Sequence, residues 1–306
     1  MAMDSNWKSF FNRYCIFKQH RLLPAYPPKA MLNERELQHK SVEYRKTLLS
    51  IIKASGAGHT GGDLSCIDIL NVLYNRIMRV NPETFRGPEH DHYIQSKGHC
   101  AEALFTVLAD RGFFPRSELD TLNRFGSHFI GHPTRKVNGV EQNTGALGHG
   151  LAVAAGIALA GKLDRKDYRV FALLGDGELA EGSNWEAAMT AAHYRLDNLT
   201  AIVDRNGLQI TGSTEDVVQL EPLEQKFTAF GFSVRSCNGN DIPDLVRTLE
   251  AVPFTPGKPS LVLAKTRKGK GISFMDNVAK WHHGVPSNDE FARAMGELEA
   301  AEAAIV

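Results

Sequence analysis

An aspartate set between two glycines, Gly175-Asp176-Gly177, follows the apolar run Arg169 to Leu174 and precedes a helical pattern from Trp185 to Arg195. The run reads as a strand, so the triplet falls where a parallel strand ends and a helix is about to begin. Ligands gather at that end of an open parallel sheet, because glycines let a phosphate approach backbone amides and a helix start. A lone carboxylate would repel a phosphate, so Asp176 implies a cation between the two. The next strand, Leu199 to Asp204, leads into Arg205-Asn206-Gly207-Leu208 and puts Asn206 at the neighbouring strand end. The Asp176 carboxylate, the Asn206 carboxamide oxygen and the Leu208 carbonyl are hard donors of the kind that Mg2+ takes, with octahedral positions left for phosphate oxygens and water. The triplet alone is read equally well as a plain turn, with Asn206 as a helix cap. A second glycine cluster, Gly56, Gly58, Gly61 and Gly62, surrounds His59 and makes a loop in which backbone and imidazole both come close to a ligand.

The elements that must hold these residues alternate. Strand-like Leu199 to Asp204 is followed by helical Leu223 to Phe230, Ser233 to Cys237 by Ile242 to Ala251, and Leu261 to Lys265 closes the series. Such β-α-β alternation means an α/β fold with a doubly wound parallel sheet flanked by helices. The unbroken apolar runs Phe171 to Leu174 and Ala201 to Val203 suit central strands buried on both faces. Upstream, Asn33 and Glu36 form a capping-box pattern ahead of a helix running to Ala54. Asp289 to Ala304, rich in Ala and Glu, reads as a terminal helix. Three prolines within Pro24 to Pro28 mark residues 1–32 as an arm, which leaves 33–306 as one domain.

Lys plus Arg and Asp plus Glu are both 35, so there is no basic surplus to draw nucleic acid or anionic lipid. Cys15, Cys66, Cys100 and Cys237 lie far apart and read as free thiols. Charged residues interrupt Met1 to Phe17, which argues against a secretory leader and for the cytoplasm. Leu151 to Ala160 is half the ~20 residues a bilayer needs and reads as a buried helix. Lys268-Gly269-Lys270-Gly271 is either a basic lid or a flexible exposed loop, and the loop is the simpler reading.

The triplet with Asn206 resembles the signature of thiamine-diphosphate enzymes, and longer stretches narrow the resemblance to transketolases. GDGELAEGSNWEAAMTAAHYRLDNLTAIVDRNGLQITG is similar to that family, as are SGAGHTGGDLS, QSKGHC, IGHP, NTGALGHG and the closing WHHGVP, in the family's order from residue 55 to about 286. The resemblance implies a thiamine-diphosphate domain with Mg2+ on Asp176, Asn206 and the Leu208 carbonyl. It also implies that Gly145, Ala146, Leu147 and Gly148 pack on the cofactor, next to Gly175 and Gly177. Ala146 stands where the family usually has proline, His149 where it has glutamine, and Arg205 replaces the commoner residue before the metal asparagine. His59, His99, His132 and His283 match the family's active-site imidazoles, which bind the donor ketose and move protons. Imidazole suits that work because it titrates near the working pH. His282 and His128 are the neighbouring alternatives; His283 and His132 are preferred because each precedes a Gly-x-Pro or Pro step. Glu181 and Glu186 match acids that lie between paired cofactor sites, or are simply a solvated helix start.

The family's second α/β domain, which binds the pyrimidine and supplies a glutamate that activates it, has no counterpart after Lys265. The resemblance therefore implies the amino-terminal subunit of a split transketolase. A carboxy-terminal partner subunit would complete it, in an α2β2 assembly acting on sugar phosphates and inactive without that partner. A 2-oxo acid dehydrogenase α subunit shares Gly-Asp-Gly and Asn, but lacks the histidine set. Deoxyxylulose-phosphate synthase is less similar at Asn143 to Gly148. A non-catalytic scaffold would be expected to lose the metal ligands, which are present.

Overall fold

Phe171-Ala-Leu-Leu carries no polar side chain, so neither face of that strand tolerates water, and a strand of this kind has to lie inside a sheet covered on both sides. In the computed structural model, which describes residues 31–305, that is its place. The elements run α1 (Glu34–Ser55), α2 (Thr60–Val72), β1 (His92–Gln95), α3 (Ala101–Asp110), α4 (Gly150–Leu163), β2 (Val170–Gly175) and α5 (Gly182–His193). They continue with β3 (Leu199–Arg205), β4 (Leu208–Gln209), β5 (Gly212–Ser213), α6 (Thr214–Val217), α7 (Leu223–Ala229), β6 (Ser233–Asn238), α8 (Ile242–Glu250), β7 (Ser260–Lys265) and α9 (Asn288–Ala303). Five strands form one sheet in the order β1-β2-β3-β7-β6, and every pairing is parallel. The short β4 and β5 make a separate antiparallel pair.

Side chains alternate across the sheet and divide the core in two. Phe171, Leu173, Ile202, Val262 and Ala264 face a layer built from α1, α2, α3 and α8. Ala172, Leu174, Ala201, Val203, Leu261 and Leu263 face α4, α5 and α7. A third cluster joins the other side of α1 (Leu48, Leu49, Ile52) to Met275, Trp281 and, on α9, Ala294 and Leu298. The expected capping box is formed: the Asn33 side chain accepts from the Glu36 N–H while Glu36 accepts from the Asn33 N–H. Cys66, Cys100 and Cys237 are free and buried.

One strand falls outside the sequence expectations, and one expectation needs correction. Strand β1 has no sequence signature: it is four residues long, and His92 and Gln95 at its ends spoil any apolar run. Helix α4, expected to be buried, is buried along Gly150, Leu151, Ala154, Ala155, Ala158 and Gly161, while Ala152, Gly156 and Ala160 are exposed. It forms an outer layer on the sheet, so a single stripe meets the core. No helix among the described residues is long and apolar enough to cross a membrane. Residues 1–30 of the expected arm and Cys15 lie outside the described residues.

Candidate active site

The carboxyl ends of β1, β2, β3 and β7 open onto one cavity of about 460 Å³, a size suited to a cofactor-scale ligand. Asp176 enters it from β2. The side chain is buried; Oδ1 accepts from the Gly177 N–H (2.8 Å), and Oδ2 accepts from the Gly207 N–H (2.6 Å) and from Arg205 Nη1 (3.1 Å). Burial and the nearby Asp204 charge raise its carboxyl above the usual range, against the pull of those donors. Asn206 and Leu208 line the same cavity, and Asn206 Oδ1 accepts from the Leu208 N–H at 3.0 Å. Three residues that carry hard oxygen donors, from two neighbouring strand ends, therefore line one space.

Beneath them lies a buried ion pair that no motif singles out. Lys97, just past the end of β1, donates to Asp204 near the end of β3 and to the Gly62 carbonyl (3.2 Å). Thr266 and Ser65 hydroxyls also donate to Asp204. Burial alone would push the Asp204 carboxyl up, but Lys97 and these hydroxyls hold it below its ordinary range. Both side chains are 1 % exposed or less, so breaking the pair by removing one partner would leave an uncompensated buried charge.

Glu178 is a second residue that the sequence does not flag. Its carboxylate receives three donors: the Ser96 hydroxyl, the Gly148 N–H (2.9 Å) and the Gly175 N–H (2.9 Å). It thereby ties the end of β1, the Gly145–Gly148 loop and the end of β2 into one floor. That loop requires its glycine: Gly145 has φ +135°, and a Cβ there would lie 2.7 Å from the His132 ring.

The histidines converge. The ring of His59 sits 5.3 Å from His99, 6.1 Å from His132, 5.7 Å from His282 and 4.9 Å from His283. Backbone contacts explain how a residue near position 59 meets one near 283: Gly284 N–H donates to Gly58 O (3.1 Å), and the Thr60 hydroxyl donates to Gly284 O (2.6 Å). Burial and neighbouring imidazoles and lysines depress the basicity of this group, His59 to about 4 and His282 to about 3, with His99 far below its usual value. Near neutral pH the rings of His59, His99, His132 and His282 are uncharged, each with one donor and one acceptor nitrogen.

At the closing motif both rings touch His59, but only His282 is among the residues that line the cavity; His283 is exposed. Lys268 overturns the reading of Lys268–Gly271 as a flexible exposed loop. It is 2 % exposed, lines the cavity, and donates to His282 Nδ1 at 3.0 Å. Burial and the nearby Lys97 lower its ammonium to about 8. Gly269 is held by its N–H to Gly61 O (2.9 Å). Of the other expected residues, His59, His99, His132, Gly145, Leu147, Gly175 and Gly177 line the cavity. Gly148 stands just behind it, bonded to Glu178. Ala146, Glu181 and Glu186 are exposed and outside the lining; the two glutamates begin and follow the start of α5. A place for them between paired sites would require a second copy of the chain.

The model of the transketolase, thiamine diphosphate binding domain matches residues 38–299. The chain belongs to the transketolase family. It is 49% identical over 262 residues, 86% of this chain and 93% of the relative, to an apulose-4-phosphate transketolase subunit from Phocaeicola vulgatus. It is 41% identical over 86% of this chain and 96% of the relative to the "6-deoxy-6-sulfo-D-fructose transketolase subunit SqwG" of a Clostridium species. Human transketolase is 37% identical over 75% of this chain, which corresponds to 36% of that protein. Among solved structures, Campylobacter jejuni transketolase superposes with a TM-score of 0.81 at 28% identity, over 90% of this chain and 46% of that one. The chain thus spans less than half the length of these single-chain transketolases and nearly all of the relatives named as subunits. The α/β fold is that of the family's thiamine-diphosphate-binding domain.

The residues present fit that cofactor with a divalent cation. Asp176, Asn206 and Leu208 supply oxygen donors, and Lys268 brings the cavity a positive charge that favours an anion, whereas the charge of Lys97 is balanced by Asp204. His59 lines the cavity, and its Nδ1 is buried without a hydrogen-bond partner in the protein, as expected of a polar atom that meets a ligand.

Proposed function

We propose that this chain is the cofactor-anchoring half of a two-subunit transketolase, holding thiamine diphosphate and Mg2+ through Asp176, Asn206 and the Leu208 carbonyl. The observation that carries the reading is the meeting of that oxygen set with four neutral imidazoles around one cavity. A partner subunit supplies the pyrimidine-binding half, and two copies of each chain form the assembly. The reaction is transfer of a two-carbon ketol unit from a ketose, probed first as the phosphate, to an aldose. Apulose 4-phosphate is the first donor to test, because two relatives at 49% and 47% identity are named for it.

Thiamine diphosphate, when bound, supplies the carbon nucleophile that takes up the two-carbon unit. The chain's own residues orient and protect. Glu178 fixes the Gly148 loop against the end of β2 and so holds the floor of the cavity in place. His59, His99, His132 and His282 present donor and acceptor nitrogens to sugar hydroxyls, and can hold a proton at the oxygen from which it leaves. Lys268, next to His282, favours negative charge developing above the floor. The test is calorimetric titration of thiamine diphosphate with Mg2+ in the presence of the partner subunit. Asp176→Ala should abolish metal-dependent binding while circular dichroism stays unchanged. Unaltered affinity would place the ion elsewhere.

A further inference from the structure

At the opposite, amino end of the sheet, two imidazoles and a carboxylate meet at one point. His90 is buried in the turn before β1, His92 is the first residue of β1, and Glu141 comes from the loop that leads into the cofactor-facing Gly145–Gly148 segment. His90 Nε2 is 2.7 Å, and His92 Nδ1 3.0 Å, from the same oxygen, Glu141 Oε1. The three donor atoms lie within 4.8 Å of one another.

The hydrogen bonding at this point calls for positive charge. His90 Nδ1 lies 2.8 Å from Gly87 O, which can only accept, so Nδ1 carries a hydrogen. Nε2 faces a carboxylate oxygen, a contact that is favourable when a second ring proton makes His90 and Glu141 an ion pair, or when a metal ion takes that proton's place. His92 Nδ1 aims at that oxygen too. A carbonyl fixing one ring nitrogen so that the other points inward is the arrangement that orients imidazole ligands on metals. The surroundings are apolar and close: the Phe85 ring packs on His90 at 5.5 Å and the Tyr168 ring on His92 at 4.6 Å. Asp91, between the two histidines, turns away and is satisfied by Arg79 and Arg169.

We propose that His90 Nε2, His92 Nδ1 and Glu141 Oε1 form a site for a divalent transition metal of the zinc class. Two imidazoles and one carboxylate suit Zn2+, with a fourth, water-filled position on the partly exposed side of His92 and Glu141. Coordination at about 2.0–2.2 Å would set the donors roughly 3.3 Å apart, so the present contacts open by only about half an ångström. The ion would pin the Glu141 loop to the start of β1, some four residues before Gly145. It therefore acts on the fold of the cofactor-facing loop and not on the reaction.

The experiment uses the full chain, free of any tag and stripped by a chelator, titrated with zinc sulfate in competition with a chromophoric chelator. One Zn2+ per chain is expected, with binding weakened at least tenfold in both His92→Gln and Glu141→Gln, and a higher melting temperature for the zinc-loaded wild type. His99→Ala and His282→Ala, which alter the cofactor cavity's imidazoles, should leave this binding unchanged. Because a variant could fail through misfolding, zinc-edge anomalous scattering from wild-type crystals locates the ion independently, and it should lie among His90, His92 and Glu141. Absence of stoichiometric binding, or an ion found among His59, His99 and His282, would overturn the proposal.

Discussion

Replacing Glu178 by glutamine keeps the shape of the side chain and reverses half of its hydrogen-bonding character. The native carboxylate faces donors only: Oε1 takes the Ser96 hydroxyl and the Gly148 N–H, and Oε2 takes the Gly175 N–H. An amide must turn its NH2 toward one of them. With that group at the Oε2 position, it meets the Gly175 N–H, so one charge-assisted bond, worth about 1.5–3 kcal/mol, is lost and a buried donor is left unsatisfied at about 1–3 kcal/mol. Part is recovered because a buried amide costs less than a buried carboxylate, the same burial that pushes the Glu178 carboxyl above its usual range. The net expectation is a loss of roughly 2–3 kcal/mol in urea unfolding of the free chain. Thiamine diphosphate should also bind at least tenfold more weakly in the presence of the partner subunit, because the Gly148 loop has to be reordered when the cofactor binds. A variant with wild-type stability and wild-type cofactor affinity would refute the view that Glu178 holds the floor of the site together.

Three other substitutions test other parts of the structure. Glu102, buried against Asp63, is held up to about 7 by burial, so between roughly pH 4.5 and 7 the folded chain keeps a proton that the unfolded chain has lost. That contribution is fully present below pH 4.5 and disappears as pH rises through 7, about 3 kcal/mol in all, so the stability difference between wild type and Glu102→Gln should change with pH in that window; parallel stability curves would exclude it. At the closing motif, His282→Ala should lower ketol-transfer turnover tenfold or more with little change in cofactor affinity, and His283→Ala should lower it less; the reverse order would show that the exposed ring reaches the substrate.

What can be read from sequence follows from how local each signal is. β2, β3 and β7 are legible because apolar runs are properties of neighbouring residues, β6 because Gly231 and Gly239 bound it within the strand-helix alternation, and the Gly-Asp-Gly turn with Asn206 marks its position at the strand ends for the same reason. β1 is not legible, because its burial comes from pairing with β2 and not from its own four residues. Lys268 is easily misread because a Gly-Lys alternation looks flexible in isolation, whereas its burial depends on Trp281 and Met275 packing against α1 far along the chain. Lys97 and Glu178 each sit inside a recognisable motif, but their importance lies in partners more than 80 residues away, Asp204 for one and Ser96 for the other. The choice between His282 and His283 turns on which way a short 3-10 turn presents its side chains, which spacing alone does not determine.

If this chain holds half of a catalytic centre, the most direct measurement is ketol transfer from a ketose phosphate to an aldose, with thiamine diphosphate and Mg2+, by the purified chain alone and after the partner subunit is added. No turnover by the chain alone and turnover on mixing is the predicted result; clear turnover by the homogeneous chain on its own would contradict it.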